Sequence, residues 1–227
     1  MATTGGVNIV TDGLVLALDA ANVKSYPGSG TTWRDLSGNG YNGTLVNSPT
    51  FDSGNGGSLV FDGTNDSISI NNNNLYDLQL TIVQWVNVTG FNRVSHFFSK
   101  DEFPAYWAST EGSGGTLYFY IRDDDTSAYV GRRVINSDGI LDSGILMLTV
   151  TYNGGIDSDS VSFYKNGSLL STSNYSFPTF TEPRQNTSDI QIGFFEGAIF
   201  NTIVYNRALS STEVLQNYNA TKSRFNL

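Results

Sequence analysis

The chain contains 227 residues, of which 95 are Gly, Ser, Thr or Asn, while 39% are apolar and 13% are aromatic. This composition is typical of many short strands and turns around a substantial core, and it excludes a disordered chain. The net charge of −9 disfavours a nucleic-acid partner and an anionic membrane surface, and the absence of cysteine excludes disulfides, thiolate zinc sites and cysteine nucleophiles.

The first apolar run, Leu14 to Leu18, is too short for a secretory signal or a membrane span, since a spanning helix needs about 20 apolar residues. We therefore expect a soluble protein with no membrane insertion. No linker or internal repeat divides the sequence, so it predicts a single domain over residues 1–227, with a core at about 13–209.

Apolar or alternating runs separated by turn residues predict an all-β fold, because almost no window shows apolar residues at helical spacing. About a dozen strands in one domain favour a large two-sheet antiparallel jelly-roll sandwich. The predicted strands are Leu14 to Asp19, Gly43 to Val46, Ser58 to Phe61, Ser67 to Ile70, Leu80 to Val88, Val94 to Ser99, Thr116 to Arg122, Ala128 to Ile135, Ile145 to Tyr152, Ser160 to Tyr164, Ser168 to Thr172, Asp189 to Phe194 and Ala198 to Tyr205.

The strongest local signal is the pair Asn166 and Gly167 between two apolar runs. It predicts a two-residue hairpin with a type I′ turn, in which both central residues adopt positive φ.

A short helix is predicted over residues 210–217. Ser210 and Glu213 have the spacing of a capping box, and Leu209 with Val214 has that of a hydrophobic staple. The remaining tail, residues 218–227, ends in a basic segment. We expect this tail to be frayed, with a docking strap for an acidic neighbour as the alternative.

The sequence lacks the usual catalytic patterns, and we expect no enzymatic activity. No nucleophile elbow or nucleotide-binding loop occurs, and the single histidine, His96, fits one face of a strand. Glycoside hydrolysis needs two carboxylates about 5 to 9 Å apart. None of the five glutamates lies in a strand at the spacing that would provide such a pair.

Three acidic clusters fall in predicted loops, namely Asp123, Asp124 and Asp125; Asp157 and Asp159; and Asp62 and Asp66. The first cluster follows an aromatic strand and is predicted to form a hairpin tip. We expect its carboxylates to be solvated. A Ca²⁺ site or a polar edge for hydroxyl-rich ligands are the alternatives, because hard cations take several oxygen ligands from loops.

Aromatic residues give another possible signal, since sugar rings stack their apolar faces on exposed Trp or Tyr. Trp33, Tyr106, Trp107 and Tyr129 are the candidates, and Trp107 is predicted to lie in a loop. Trp85, in an apolar run, is assigned to the core. Tyr106, Trp107 and Tyr129, with Asp123, Asp124 and Asp125, are therefore the candidate ligand-binding residues.

The motifs at both ends resemble a known family. They are Gly13–Asn22 (GLVLALDAAN), Thr32–Leu45 (TWRDLSGNGYNGTL), Leu59–Asp66 (LVFDGTND), Phe195–Ser210 (FEGAIFNTIVYNRALS) and Asn217–Phe225 (NYNATKSRF). Together they resemble the laminin-G-like branch of the concanavalin A-like lectin/glucanase superfamily, as found in virion structural proteins of tailed phages.

The resemblance implies a jelly roll in a binding or structural role. The superfamily's glucanases carry their acids on a Glu-x-Asp-x-Glu strand, which this sequence lacks. Glucanase relatives also hold a Ca²⁺ through an Asp on the closing strand, and the matching position here is Asn201. Ca²⁺ is therefore a candidate cofactor, with Asn201, Asp62 and Asp66 as the candidate ligands, although an Asn at this position lowers the negative charge of the site.

Two functions follow as expectations. The first is a non-enzymatic virion component, either a capsid decoration or a fibre-like adhesion module, located on the particle surface and bound to other virion proteins. The second is an extracellular lectin module that recognises cell-surface glycans. Both are compatible with a homo-oligomer, and neither involves nucleic acid.

Overall fold

The computed structural model describes residues 7–71, 79–90, 94–100, 107–111, 116–123, 128–134, 141, 144–177, 179–182 and 188–227, with the backbone alone for 94–95 and 107–111. Most of these residues lie in strands and turns, and an α-helix follows the last strand. The predicted two-sheet antiparallel sandwich with a short C-terminal helix is therefore confirmed.

The strands are short and numerous, as the turn-rich sequence predicts. They are β1 (Leu14–Asp19), β2 (Thr32–Trp33), β3 (Gly43–Val46), β4 (Thr50–Asp52), β5 (Ser58–Asp62), β6 (Ser67–Ile70), β7 (Leu80–Gly90), β8 (Val94–Lys100), β9 (Trp107–Glu111), β10 (Leu117–Arg122), β11 (Tyr129–Val134), β12 (Leu146–Tyr152), β13 (Val161–Lys165), β14 (Ser168–Leu169), β15 (Ser173–Asn174), β16 (Ile190–Gly193) and β17 (Glu196–Tyr205). Helix α1 spans Ser211–Thr221, and a 3-10 helix follows at Lys222–Phe225.

Two sheets result from this pairing. The first sheet has the order β14, β13, β12, β7, β17, β5, β4, and β1 also pairs with β17. The second sheet has the order β15, β11, β10, β9, β8, β16, β6, β3, β2. Neighbouring strands are antiparallel, so residues opposite one another point to the same face.

The core lies between the two sheets and follows the alternation of apolar residues. In β10, Leu117, Phe119 and Ile121 are buried against the first sheet, while the residues between them are half-buried. In contrast, every residue of β12 is buried. A strand is buried on both faces only where a second layer covers its outer side.

That second layer is the C-terminal segment, which packs on the outer face of the first sheet. Trp85 is fully buried there, with its ring centroid 4.3 Å from that of Phe225 and its indole N–H donated to the Thr221 hydroxyl at 2.8 Å. The expectation of a frayed tail is therefore wrong. The tail is held because Phe225 completes the apolar layer on the outer face of the first sheet. The basic residues of the tail do not indicate this packing.

Local signals for turns and caps are accurate. Asn166 and Gly167 have φ values of 50° and 80°, which confirms the type I′ hairpin. Ser210 accepts the backbone N–H of Glu213 and the Glu213 side chain accepts the N–H of Ser210, which confirms the capping box. Helix α1 extends four residues beyond the predicted end, because its last turn packs on Trp85.

Other sequence expectations need correction. Trp107 does not lie in a loop but begins β9, where its backbone pairs with Ser99 of β8. Trp33 is fully buried, so it is not an exposed stacking residue. None of the helices in the described ranges is long and apolar enough to cross a membrane.

Candidate functional site

The two outer faces of the sandwich differ in their exposure. The first sheet is covered by α1, whereas the second sheet has exposed residues on its outward face, such as Thr32 and Thr44, and half-buried ones, such as Ser69 and Gln191. Among the described residues, the second sheet therefore provides the face on which side chains can meet a ligand.

One end of this face carries a regular array of side chains. In the pairing of β10 with β11, Tyr118 opposes Arg133, Tyr120 opposes Gly131 and Arg122 opposes Tyr129. The chain continues the sheet beyond β15, because the N–H of Tyr175 donates to Gly131 at 3.0 Å and that of Phe177 donates to Tyr129 at 2.8 Å. Three adjacent segments therefore place their outward residues in rows.

Five aromatic rings in this array are in mutual contact. Tyr175 lies at the centre, with its ring centroid 4.6 Å from that of Tyr118 and 5.0 Å from that of Tyr129. Tyr120 is 5.4 Å from Tyr129, and Phe177 is 6.1 Å from Tyr129. We call Tyr118, Tyr120, Tyr129, Tyr175 and Phe177 the tyrosine platform. Phe177 is 55% exposed and the tyrosines are half-buried, so the rings present part of their surface outward.

Gly131 allows β10 and β11 to approach closely within the platform. A Cβ at this position would lie 2.3 Å from the carbonyl oxygen of Phe119 and 2.7 Å from the Cβ of Tyr120. The Ser176 hydroxyl accepts the N–H of Gly131 at 3.1 Å, which holds the segment of Tyr175 against β11. A residue without a side chain therefore lets β11 approach Phe119 and Tyr120 of β10 closely.

The platform combines rings and hydroxyls, and Arg122 and Arg133 lie in the same rows of the sheet. Burial, together with the neighbouring Tyr129, raises the pKa of the Tyr175 hydroxyl, so this group is a neutral hydrogen-bond donor at physiological pH. The guanidinium of Arg133 lies 5.8 Å from the Tyr175 ring centroid and donates its Nε–H to Ser173 at 3.3 Å. Such a surface can stack on apolar faces and bond to hydroxyl or anionic groups.

The predicted ligand-binding residues have different positions. Tyr129 belongs to the tyrosine platform, while Tyr106, Asp124 and Asp125 lie outside the described residues. Only the backbone of Trp107 is described. Asp123 is buried, and its carboxylate accepts the N–H and hydroxyl of Thr181 at 3.0 and 2.9 Å. The expectation that Asp123 is solvated is therefore wrong, because Thr181 satisfies it inside the protein.

The candidate metal ligands do not converge. Asp66 is buried and accepts the N–H of Asp62 at 3.1 Å, and Asp62 opposes Glu196 in the register of β5 with β17. Asn201 lies five residues after Glu196 on β17, which in an extended strand is a distance of about 16 Å. Its side-chain oxygen is already bonded to the N–H of Trp85 at 3.2 Å. A Ca²⁺ ion takes six to eight oxygens from one place, so these three residues do not fit it.

An arginine instead links the elements near Asn201. Asp19, which opposes Asn201 in the pairing of β1 with β17, accepts a hydrogen bond from Arg224 at 2.8 Å. Arg224 also donates to the carbonyl oxygens of Asn55 and Gly57. Within the described ranges, no cluster of three acidic or histidine side chains has the geometry of a metal site.

Sequence reasoning identified one platform residue of five. Tyr118 and Tyr120 were placed correctly in a strand, and the alternation of β10 could have shown that both face away from the core. Tyr175 and Phe177 gave no such signal, because they become part of the face only through pairing with β11. His96 lies in β8, as predicted, and burial lowers its pKa.

Comparisons with known proteins agree with this architecture. The sequence profile of a family, described as the concanavalin A-like lectin/glucanases superfamily and named Laminin_G_3, matches residues 62–215. No curated protein sequence matches the chain significantly.

Solved structures with the same fold are toxin domains. The binding domain of Paraclostridial Mosquitocidal Protein 1 has a TM-score of 0.67 and 18% identity over 95% of this chain and 53% of that one. The receptor-binding domain of botulinum neurotoxin C/D mosaic serotype has a TM-score of 0.68 and 16% identity over 92% and 51%. The ligand-binding domain of botulinum neurotoxin serotype D, solved in complex with N-acetylneuraminic acid, has a TM-score of 0.65 and 16% identity over 92% and 51%. The chain spans about half the length of these solved chains.

Proposed function

Because the chain belongs to the concanavalin A-like lectin/glucanases superfamily, we propose that it is a non-enzymatic carbohydrate-binding module whose ligand contacts the tyrosine platform. The observation that carries this proposal is the contiguous set of five rings on the outward face of the second sheet. Exposed contiguous aromatic surface on a folded domain marks an interaction site.

The chemistry of the platform suits a sugar ring. One face of a pyranose presents C–H groups, which pack against an aromatic ring, while its edge presents hydroxyls that need hydrogen bonds. Tyr175 and Tyr129 offer both properties, because each combines a partly exposed ring with a hydroxyl. The rings are already in contact with one another, so binding requires little ordering of side chains.

Two comparisons support this proposal. The family takes its name partly from lectins, and one solved domain of the same fold was obtained in complex with N-acetylneuraminic acid. The tyrosine platform and the neighbouring Arg133 offer rings and a cation that can hold a ligand. They do not provide the carboxylate pair of a glycosidase.

A glycan array tests the proposal. We expect the wild-type protein to bind a defined set of glycans and Tyr175→Ala to lose at least about fivefold in affinity, since a stacked aromatic contributes on the order of 1 kcal/mol or more. Tyr218→Ala is the matched control, because it removes a half-buried tyrosine that stacks on Trp85 on the opposite side of the sandwich. Equal losses in the two variants would contradict a binding role for the platform.

We further propose that the module is displayed on the surface of a tailed-phage particle, as the terminal motifs predict. The motif Phe195–Ser210 and the segment after it form the closing strand and the cover of the first sheet, which leaves the platform on the opposite side, where it can point outward. Mass spectrometry of purified particles tests this location. Absence of the chain from particles whose other structural proteins are detected would contradict it.

A further inference from the structure

Arg133 differs in its surroundings from three other arginines of the chain. Arg132, Arg207 and Arg224 each form an ion pair, with Asp159, Glu213 and Asp19 respectively. No described carboxylate lies within ion-pairing distance of Arg133, although the protein carries a net charge of −9. Ser173 accepts its Nε–H, and among the described residues this is the only side chain that accepts a hydrogen bond from it.

The position of Arg133 is also specific. It opposes Tyr118 across the β10–β11 pair and lies beside the ring of Tyr175. The guanidinium carbon lies 5.8 Å from the Tyr175 ring centroid, so the guanidinium borders the platform, and Ser173 accepts its Nε–H. A guanidinium in this state presents the paired donors that match a carboxylate, which it binds through two parallel hydrogen bonds.

Asp123, the acidic residue of the nearby hairpin that the structure describes, lies at the other end of the array. Asp123 follows Arg122, whose row is four residues along the strands from that of Arg133, a separation of about 13 Å. That separation exceeds the Debye length of about 8 Å at physiological ionic strength. The Asp123 carboxylate also accepts two hydrogen bonds from Thr181, so its local partner is not Arg133.

We infer that the ligand of the platform is a sugar bearing a carboxylate, such as a uronic or sialic acid residue, with the carboxylate on Arg133 and the ring on Tyr118 or Tyr175. The inference rests on the proposed carbohydrate-binding function and adds the substrate class to it. Arg133 is then the residue that determines specificity, while the rings supply affinity that is independent of charge.

An array printed with matched pairs tests the inference. Each acidic glycan is paired with the same glycan without its charge, for example sialyllactose and trigalacturonate, each with its methyl ester. We expect the wild-type protein to prefer the acidic member of the pairs it recognises by about tenfold or more, in keeping with the strength of hydrogen bonds between charged groups. This preference should decrease as salt is raised.

Variants separate the roles of charge and geometry. Arg133→Gln should remove the preference for the acidic member while retaining weak binding of both, and Arg133→Lys should restore it in part, because the charge remains but the paired donors are lost. Arg34→Gln is the matched control, since it makes the same change in net charge at an exposed residue next to β2, at the opposite edge of the same sheet.

The outcomes distinguish the two proposals. Binding of both members of each pair with equal affinity, or of neutral glycans alone, would overturn the inference and leave the carbohydrate-binding function intact. An equal effect of Arg133→Gln and Arg34→Gln would also overturn the inference. If the wild-type protein binds no glycan of either kind, the proposed function fails and the inference fails with it.

Discussion

Glu213 is a single carboxylate with several hydrogen-bonding partners. It accepts the N–H and hydroxyl of Ser210, both at 2.8 Å, and two N–H groups of Arg207 at 3.1 and 2.6 Å. The side-chain hydrogen bonds from Arg207, followed by those from Ser210, lower the pKa of Glu213 from 4.5 to about 2. The ionised form is therefore bound more strongly in the folded state than in the unfolded chain.

This pKa predicts a pH dependence of stability. A carboxyl group with a lowered pKa in the folded state stabilises the protein above pH 4.5, and the contribution is lost as pH falls toward 2. We expect Glu213→Gln to lower the free energy of unfolding at pH 7 by about 1 to 2 kcal/mol and to reduce the loss between pH 4.5 and 2. Urea unfolding across this pH range measures both effects. Glu182→Gln, at an exposed residue, serves as the control, and identical pH profiles for the two variants would contradict the prediction.

Gly131 links the packing of the sheet to the platform. In Gly131→Ala, the added Cβ meets backbone and Cβ atoms that cannot rotate away, so β10 and β11 must separate locally. We expect a loss of about 1 to 3 kcal/mol in the free energy of unfolding, together with weaker glycan binding. Gly54→Ala is the comparison, because its Cβ first meets the flexible end of Asp52 at 3.2 Å. Binding by Gly131→Ala at the wild-type level would show that the platform does not depend on this close approach.

At the residue scale, sequence reasoning succeeds where the signal is local. Tyr129 is among the aromatic residues that the sequence analysis selects for sugar stacking, whereas Tyr175 is not, because it follows the end of the predicted strand Ser168 to Thr172. Its place beside Gly131 depends on a hydrogen bond between residues 44 positions apart in sequence. No pattern within a single segment contains that information.

At the scale of elements, Arg224 joins three parts of the chain that are distant in sequence. It bonds to Asp19 at the end of β1, to the carbonyl groups of Asn55 and Gly57, and it lies 5.6 Å from the ring centroid of Phe200. It is mostly buried, so its hydrogen bonds are poorly replaced by water. The segment after α1 is therefore a structural element that closes the sandwich.

Arg224→Met tests this role. The substitution keeps an apolar stem but removes the donors, and we expect a loss of about 2 to 4 kcal/mol in the free energy of unfolding because Asp19 and two carbonyl groups lose their partner. Lys222→Met is the matched control, since Lys222 has the same charge in the same 3-10 helix and contacts the Tyr218 ring at 5.2 Å. Denaturant unfolding of both variants provides the measurement. A loss no larger than that of the control would show that the tail contributes only its apolar contacts.

Removal of divalent metal should have little effect on the fold. An ion bound only to the native state stabilises it by mass action, so a protein that contains such an ion melts at a lower temperature in EDTA. The three predicted ligands do not converge, and Arg224 already supplies a cation between Asp19 and the neighbouring carbonyl groups. We expect the melting temperature to be the same with EDTA and with added Ca²⁺. A clear decrease in EDTA would indicate a metal site elsewhere in the chain.

Elements were predicted well because their signals are local. Each of the thirteen predicted strands overlaps a strand of the structure, and the type I′ hairpin and the capping box were identified from two residues each. The strands that were missed, β2, β4, β9 and β15, have between two and five residues. Such strands are too short for an alternating pattern and form because a neighbouring strand supplies hydrogen bonds.

At the scale of the molecule, the fold could be predicted from the sequence but the functional face could not. The apolar runs and terminal motifs indicated a two-sheet sandwich, which the structure confirms. The choice of face depends on where the C-terminal segment packs. The C-terminal segment packs over Trp85 and Phe200 and thereby covers the first sheet. The second sheet therefore provides the outward face.

This asymmetry predicts that a bulky label blocks binding from one side only. Because the sequence has no cysteine, Thr44→Cys and Asn219→Cys each introduce a unique thiol, on the outward face of the second sheet and on α1 respectively. Thr44 lies five strands from β10, about 24 Å across the sheet, so streptavidin bound to a short biotin linker there overhangs the platform.

We expect streptavidin at Thr44→Cys to abolish binding to a glycan-coated surface and streptavidin at Asn219→Cys to leave it unchanged. Both thiols are at exposed positions, so equal labelling can be verified by mass before binding is measured. The unlabelled variants should bind as the wild-type protein does, which separates the effect of the label from that of the substitution. Blocking at Asn219→Cys, with free binding at Thr44→Cys, would place the ligand on the covered side of the sandwich and contradict the assignment of the platform.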